Sequence, residues 1–482
     1  MHELVFLPAY RQARLVRARE VSAVELLEAH LGQVARHNVR LNALVTWDES
    51  GARARAREAD AALARGENWG PLHGVPVTIK DAFETAGLRT TSGFARLVRH
   101  VPARDATVVA RLKAAGAVLM GKTNLPALAL DAQTDNPVFG RTNNPWDVER
   151  TPGGSTGGGA VAVASGMSPI EVGSDIGGSI RIPSHFCGVF GLKPTDGRIP
   201  LSGHIPGIPG TPRGVRHLGV AGPLARTVED LRLALRLLAG PDGRDSEILP
   251  LPVQEVPRRD LRTYRFAWTD GLGGMPVSAE TRSALEGLAR SLEQAGCTVE
   301  RRAPDLELEE VWNAWGRLLG AEVGSEMPAV ARLMTALRFQ SMRGSCALNR
   351  GVVQGLWGRM TDYARALSVR DEVMAKVESF LEGWDAWLCP VTVGPAFTHR
   401  PSGEWLEVDA GRVPYMVGTC GLPSLFNLTG HPVVVVPLPR ASERALPLGV
   451  QVVGRRWRDE ALLSVAEALT DVTGPFRRPP GV

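Results

Sequence analysis

Cysteine is scarce in this chain. Its 482 residues include five, Cys187, Cys297, Cys346, Cys389 and Cys420, far apart and odd in number. No CxxC pair occurs, so neither a disulfide framework nor a zinc site is suggested, and a reducing compartment fits better. Cys187 and Cys389 read as small buried apolar residues rather than nucleophiles. Long apolar runs are missing too. No uncharged stretch approaches the roughly 20 residues needed to cross a bilayer, so no integral membrane segment is expected. The opening MHELVFLPAYRQARLVRAREV has too short an apolar patch, and too much charge, for a signal peptide. A cytoplasmic chain is the expectation. Blocks of like charge are absent as well. The net charge of +4 is small for this length and arginine is scattered, so the basic stripe that nucleic acid demands is not there. Arg53, Arg55 and Arg57 are followed by Glu58 and Asp60 and read as a solvated helix face. No Ser-x-x-Lys occurs, which weighs against the penicillin-binding type of acyl transfer.

What is present suits a packed core: 44% apolar and 22% charged residues. The first 65 residues read as helical. Ser22 and Glu25 have capping-box spacing, Asn38 to Asn42 interrupts the pattern, and a second helix rich in alanine and arginine runs to Arg65. Leu72 to Ile79 is a β-branched strand that ends at Lys80-Asp81. A helix from Thr107 to Ala115 leads into a strand, Ala117 to Met120. Residues 151–193 are crowded with Gly, Ser and Thr but alternate with apolar runs, which predicts a buried, tightly turned region. Thr227 and Asp230 open a helix that reaches Leu238. Another, Ser278 to Ala295, stops at Gly296 before the strand CTVERR. Residues 305–385 read as helices. AWLCPVT, HPVVVVPLP and PLGVQVVG then read as strands ahead of a helix from Glu460 to Leu469. Strands interleaved with helices predict one large α/β domain without internal repeats.

Two short patterns match a motif and fail its context. Gly116 to Thr123 (GAVLMGKT) fits the P-loop string, but a helix precedes it and its strand lies between the glycines, so no phosphate nest forms. Gly153 to Gly157 (GGSTG) fits the nucleophile elbow, but the preceding TNNPWDVERTP is too polar and turn-rich for the required strand. A Ser-His-Asp enzyme also needs a histidine, and nothing singles out His185, His204, His217, His399 or His431.

Three other residues form a more promising set. Lys80 ends an apolar strand, where lost hydration lowers an amine's pKa and makes it a usable base. Ser155 sits among glycines in TPGGSTGGGAVAVAS. Ser179 follows Gly177 and Gly178, whose amide N–H groups can converge on a developing oxyanion. Asp175 and Arg181 flank Ser179 and can pair to hold its loop. Each residue alone has a plainer reading: a surface lysine beside Asp81, a serine in a flexible linker, and a turn with an idle hydroxyl.

These segments carry a resemblance. PGGSTGGGAVAVASGMSPIEVGSDIGGSIRIPSHFCGVFGLKPT, within residues 151–195, resembles the signature of the amidase signature family almost end to end. HGVPVTIKD is similar to its lysine motif. GKTNLPALAL, FGRTNNPW, GPLARTVEDL, GLPSLFNLTGHPVVVVP and PLGVQVVG are similar to family segments in the expected order. The resemblance spans roughly residues 70–240 and 385–470. It implies a mixed central β-sheet covered by helices on both faces. The chain would then divide into N-terminal helices (1–65), a signature core (70–240), a helical insert shaping the substrate pocket (300–385) and a returning core (386–482).

The resemblance further implies a Ser-Ser-Lys triad that acts without metal or cofactor. Ser179 corresponds to the nucleophile and Lys80 to the base. Ser155 corresponds to the bridging serine, which the family holds through a cis peptide after the preceding glycine, here Gly154. The N–H groups of Ile176, Gly177, Gly178 and Ser179 would receive the oxyanion. Thr156 departs from the family's second serine but keeps the hydroxyl. The implied activity is hydrolysis of a small-molecule carboxamide to an acid and ammonia or an amine, by a bacterial stand-alone enzyme similar to fatty acid amide hydrolase. A homodimer is common among such proteins. The alternatives are the glutamine-hydrolysing subunit of a tRNA-dependent amidotransferase and an allophanate-type hydrolase. The segment GHIPGIPGTPRGVRHLGVAGPLARTVED reads against the tRNA role. Phe339 and the tryptophans of the insert are candidates for an apolar pocket, or else ordinary core residues.

Overall fold

The computed structural model describes residues 3–205, 214–325 and 327–482. Residues 206–213, part of the Pro-Gly segment that reads against the tRNA role, lie outside the described residues. Thirteen strands occur among the described residues: β1 (Leu44–Trp47), β2 (Pro76–Lys80), β3 (Val118–Thr123), β4 (Ile170–Asp175), β5 (Phe190–Lys193), β6 (Val220–Ala225), β7 (Arg265–Trp268), β8 (Thr298–Arg301), β9 (Ala386–Pro390), β10 (Leu406–Val408), β11 (Gly411–Val413), β12 (Val433–Pro437) and β13 (Gly449–Val453). Eleven of them build one sheet in the order β1-β3-β2-β4-β6-β5-β12-β13-β9-β7-β8, and β10 and β11 pair separately. The sheet is mixed. Strands β3, β2 and β4 run parallel at one end and β9, β7 and β8 at the other, with antiparallel pairs between them.

Strand periodicity sorts side chains onto two faces. In β9, Ala386 and Leu388 join one apolar cluster, while Trp387 and Cys389 join the other. In β12, Val434 and Val436 face the first cluster and Val433 the second. Each fully buried valine or leucine among them contributes about 1.5–3 kcal/mol. Helices Val228–Leu238, Ala279–Gln294 and Asp459–Thr473 close the first face. Helices Leu308–Ser325, Ala347–Leu356 and Met360–Leu381 close the second. The chain is thus a single α/β domain, helix-covered on both faces.

The N-terminal third refines the sequence reading. The capping box forms, with Glu25 N–H on Ser22 Oγ at 3.0 Å and Ser22 N–H on Glu25 Oε2 at 2.8 Å. The helix runs through Asn38 to Leu41 and ends at Asn42, whose φ is 50°. The Asn38 side chain turns back to bond Ala43 N–H, Leu44 N–H and Leu44 O. Strand β1 then interrupts what reads as all helix. Its four residues are too few for a periodicity signal, and pairing with β3 recruits them. Strand β3 extends past Met120 through Lys122 and Thr123. Lys122 is buried and donates to Phe83 O, Thr85 Oγ1 and Thr90 Oγ1, so the P-loop lookalike is a sheet strand. All five cysteines are free thiols. No helix among the described residues is long and apolar enough to cross a membrane.

Candidate active site

Lys80 is the last residue of β2, a strand buried along its whole length. Its ammonium-bearing end therefore lies inside the molecule, fully buried. Nζ donates to Ser155 Oγ at 2.7 Å, to Ser174 Oγ at 3.0 Å and to Ser174 O at 3.4 Å. Burial pushes its pKa down to about 7, against the pull of Asp175 and Glu171. An amine tuned this way holds a large neutral fraction near pH 7.

Ser155 precedes the buried helix Gly157–Ala164, and the Gly154–Ser155 peptide bond is cis. Thr156 N–H donates to Ser179 O at 3.1 Å, which ties the two serine segments together. Thr156 Oγ1 donates to Ser174 O at 3.3 Å. The hydroxyls of Ser155 and Ser179 are not directly hydrogen-bonded among the described residues, so Ser179 joins the set through backbone.

Ser179 lies in the turn between β4 and the helix Arg181–Cys187. The Asp175 carboxylate staples that turn. Oδ1 accepts from Gly178 N–H at 2.9 Å and Oδ2 from Ile180 N–H at 2.9 Å. Arg181 adds Nη2 to Oδ1 at 2.9 Å and Nε to Oδ2 at 3.1 Å, with both side chains fully buried. Asn427 Nδ2 reaches Oδ1 at 2.9 Å. Burial alone would raise this carboxyl. Arg181, Ile180 N–H and Asn427 outweigh burial and hold it well below the usual carboxylate range. We expect Asp175→Asn to destabilise the fold by about 3–5 kcal/mol, because it strands a buried guanidinium. Denaturant unfolding measures this, and a loss under about 1 kcal/mol would contradict it.

Of the four N–H groups expected to face an oxyanion, one is redirected. Gly178 N–H is held by Asp175, and the φ of +114° at Gly178 is one that favours glycine. Those of Ile176, Gly177 and Ser179 have no protein acceptor among the described residues. Gly177 also admits Trp315, whose ring would lie 2.9 Å from an added Cβ. The Trp315 indole N–H donates to Ile176 O at 3.0 Å, so the helical insert braces this loop.

A narrow cavity of about 50 Å³ opens on Ser179. Ile176, Ile182, Trp315, Leu319, Phe339, Met342 and Met416 line it. Of the insert's aromatics, Trp315 and Phe339 reach the cavity. Trp312 instead donates to Gly421 O, and Trp357 is 52% exposed. Asp131 and Tyr415 also line the cavity and escape sequence reasoning. Asp131 is its single charged residue among the described residues, and Tyr415, Ser402 and Arg338 already bind its carboxylate. Asp131 also borders a larger polar cavity of about 720 Å³. No histidine ring bonds to Ser155 or Ser179 among the described residues. His204 Nε2 lies 2.8 Å from Ser174 Oγ, which in turn contacts Lys80. Ser174 is likewise unsignalled in the sequence, a plain strand residue until the fold sets it on Lys80.

A buried lysine on a serine hydroxyl, a second serine on a stapled turn and a helix-covered mixed sheet frame a hydrolase site. The chain belongs to the amidase family, whose model matches residues 25–463, and it is an amidase signature enzyme. It is 34% identical to the A subunit of the glutamyl-tRNA(Gln) amidotransferase of Roseiflexus castenholzii, over 98% of this chain and 97% of that protein. Among solved structures it resembles an amidase (31% identity, TM-score 0.80, covering 96% of this chain and 99% of the other). It also resembles a component of a vestigial complex tied to the origins of an s-triazine catabolic enzyme (29% identity, TM-score 0.83, 98% and 99%).

Proposed function

We propose that the chain is a stand-alone amidase that hydrolyses small apolar carboxamides through an acyl-enzyme on Ser179. The observation that carries this is the buried Lys80–Ser155 contact, tied through Thr156 to Ser179, which lines an apolar cavity. Neutral Lys80 takes the Ser155 proton as Ser155 takes that of Ser179. The Ser179 Oγ–carbon bond forms, and the oxyanion turns toward the N–H groups of Ile176, Gly177 and Ser179. Collapse breaks the C–N bond, and the proton on Lys80 returns through Ser155 to the departing nitrogen. Water then repeats the sequence and frees the acid. The relay requires the Ser179 hydroxyl to rotate onto Ser155 Oγ, and the Thr156–Ser179 backbone bond keeps the two close.

The cavity lining argues for the substrate class. An α-amino-acid substrate such as glutamine offers a carboxylate that suits a cation; Arg141, Arg338 and Arg400 line the polar cavity that also borders Asp131, but no cationic side chain lines the apolar cavity among the described residues. An apolar acyl or aryl group fits it better. In this reading the partner is a small-molecule amide, with no nucleic acid and no obligatory second protein, and the enzyme is an acylamide amidohydrolase. A cytoplasmic location fits the free thiols. The helical insert sets substrate choice, through Trp315, Phe339 and Met342.

The test is a hydrolysis screen over short aliphatic, aryl, long-chain and urea-derived amides and L-glutamine. Turnover confined to L-glutamine would overturn the apolar reading. That outcome is the second reading, the glutamine-hydrolysing chain of an amidotransferase, which the similarity to the Roseiflexus protein favours. A protein partner recovered by pull-down, or activity lost on purification to a single chain, would accompany it. The same screen checks the cavity. Met342→Ala should raise kcat/KM for longer acyl chains about tenfold relative to short ones, since each methylene in an apolar pocket is worth about 1–3 kcal/mol. Unchanged chain-length preference would remove Met342 from the acyl pocket.

A further inference from the structure

Ser174 and His204 form a chain of polar contacts behind Lys80 that the reaction above leaves without a task. Ser174 Oγ is 3.0 Å from Lys80 Nζ and 2.8 Å from His204 Nε2. His204 is anchored in place. Its backbone bridges to Phe83, its N–H donates to Leu201 O at 2.9 Å, and its ring stands edge-on to Phe83 with centroids 4.9 Å apart. On either side, Glu84 N–H donates to Gly203 O at 2.9 Å and Ile205 N–H to Ala82 O at 2.7 Å. The residues that follow Lys80 are thus zipped to the segment that carries His204.

Valence decides which way the protons point. A neutral amine has two N–H groups and one lone pair. To take a proton from Ser155, Lys80 must aim its lone pair at Ser155 Oγ. Its N–H groups then go to its other two neighbours, Ser174 O and Ser174 Oγ. A Ser174 hydroxyl that accepts from Lys80 must send its own proton elsewhere. His204 Nε2 is within reach to accept it. With the hydroxyl turned the other way, its proton would fill the lone pair that Ser155 needs.

We propose that His204 is a positioning residue: by accepting the Ser174 hydroxyl proton at Nε2, it keeps the Lys80 lone pair open toward Ser155. This rests on the reading of Lys80 as the base. The effect differs from that of Asp175 and Glu171, which act on Lys80 by charge.

A double-mutant cycle tests it, using the amide that the screen identifies. His204→Phe and Ser174→Ala should each lower kcat about tenfold, the worth of one hydrogen bond, with KM little changed. The double variant should be no worse than the poorer single one, because both remove the same orientation. His204→Gln, whose amide reaches the Nε2 position, should recover most of the rate. His204→Asn, whose amide falls short of it, should not, and it stands in for His204→Phe should the latter fail to fold. Additive losses, a loss confined to KM, or His204→Gln as poor as His204→Phe would overturn the proposal. Lys80→Ala and Ser179→Ala run in the same assay. Turnover retained by those variants sinks the base reading itself. Their inactivity with an additive cycle sinks this inference alone.

Discussion

Ser179→Ala is expected to lower amide turnover on the order of 10⁴-fold or more, with little change in melting temperature. The two halves of that expectation have separate causes. The Ser179 hydroxyl makes no hydrogen bond among the described residues, so its removal orphans no partner. The turn keeps its shape without it, because Asp175 holds Gly178, Ile180 and Arg181 while Trp315 holds Ile176. The donors for an oxyanion therefore survive in the variant, and only the attacking atom is lost. Ser155 is poorly placed to substitute, since it is fully buried and its Oγ is engaged by Lys80. Initial rates and a thermal melt of the same preparation check both halves. Turnover within tenfold of the parent enzyme would move the nucleophile elsewhere, with Ser155→Ala as the deciding variant.

Much of this site was legible in the sequence, for reasons that are local. Lys80 ends a β-branched run, so its burial follows from the strand that carries it. The glycines before Ser155 and Ser179 mark tight turns, whereas Gly157, Gly158 and Gly159 open a buried helix that a glycine run does not announce. The αβ alternation predicted one domain, and strands such as β9 and β12 arrive where AWLCPVT and HPVVVVPLP sit. What escaped depends on contacts distant in the chain. Ser174 and His204 meet across 30 residues of sequence, and a histidine in a loop rich in proline and glycine gives no periodic signal. Trp312, Trp315 and Leu319 share one helix face by spacing, yet only the packed insert decides that Trp315 and Leu319 reach the cavity while Trp312 turns to Gly421. The fate of Gly178 N–H was hidden for a subtler reason. A glycine pair offers several N–H directions, and the carboxylate of Asp175 selects among them.

Catalytic efficiency should fall about tenfold for each pH unit below about 6 and level off above about 8. The reactive form of Lys80 is the neutral amine, and burial brings its pKa down to about 7. Acid therefore removes the base, and alkali beyond that range adds nothing. The same shift carries a stability cost with a definite sign. The unfolded chain holds the Lys80 proton up to about 10.5, whereas the folded chain releases it above about 7. Between those values the unfolded state binds more protons, so this group makes stability rise with pH across that window. At about pH 7 and below, the cost is roughly 5 kcal/mol, from about 1.4 kcal/mol per pKa unit. Lys80→Met should thus abolish turnover and yet raise the melting temperature at pH 7 by a few degrees. The lost hydrogen bonds to Ser155 and Ser174, about 1 kcal/mol each, offset only part of the gain. Glu171 acts in the opposite sense at lower pH, because burial raises its pKa to about 7. Its stabilising proton is lost as pH rises through that value, and because Lys80 and Glu171 act on each other by charge, the difference between parent and Lys80→Met reports the coupled pair. A flat activity profile from pH 6 to 8, or a Lys80→Met variant less stable than its parent at pH 7, would show that Lys80 is not the buried base with a lowered pKa described here.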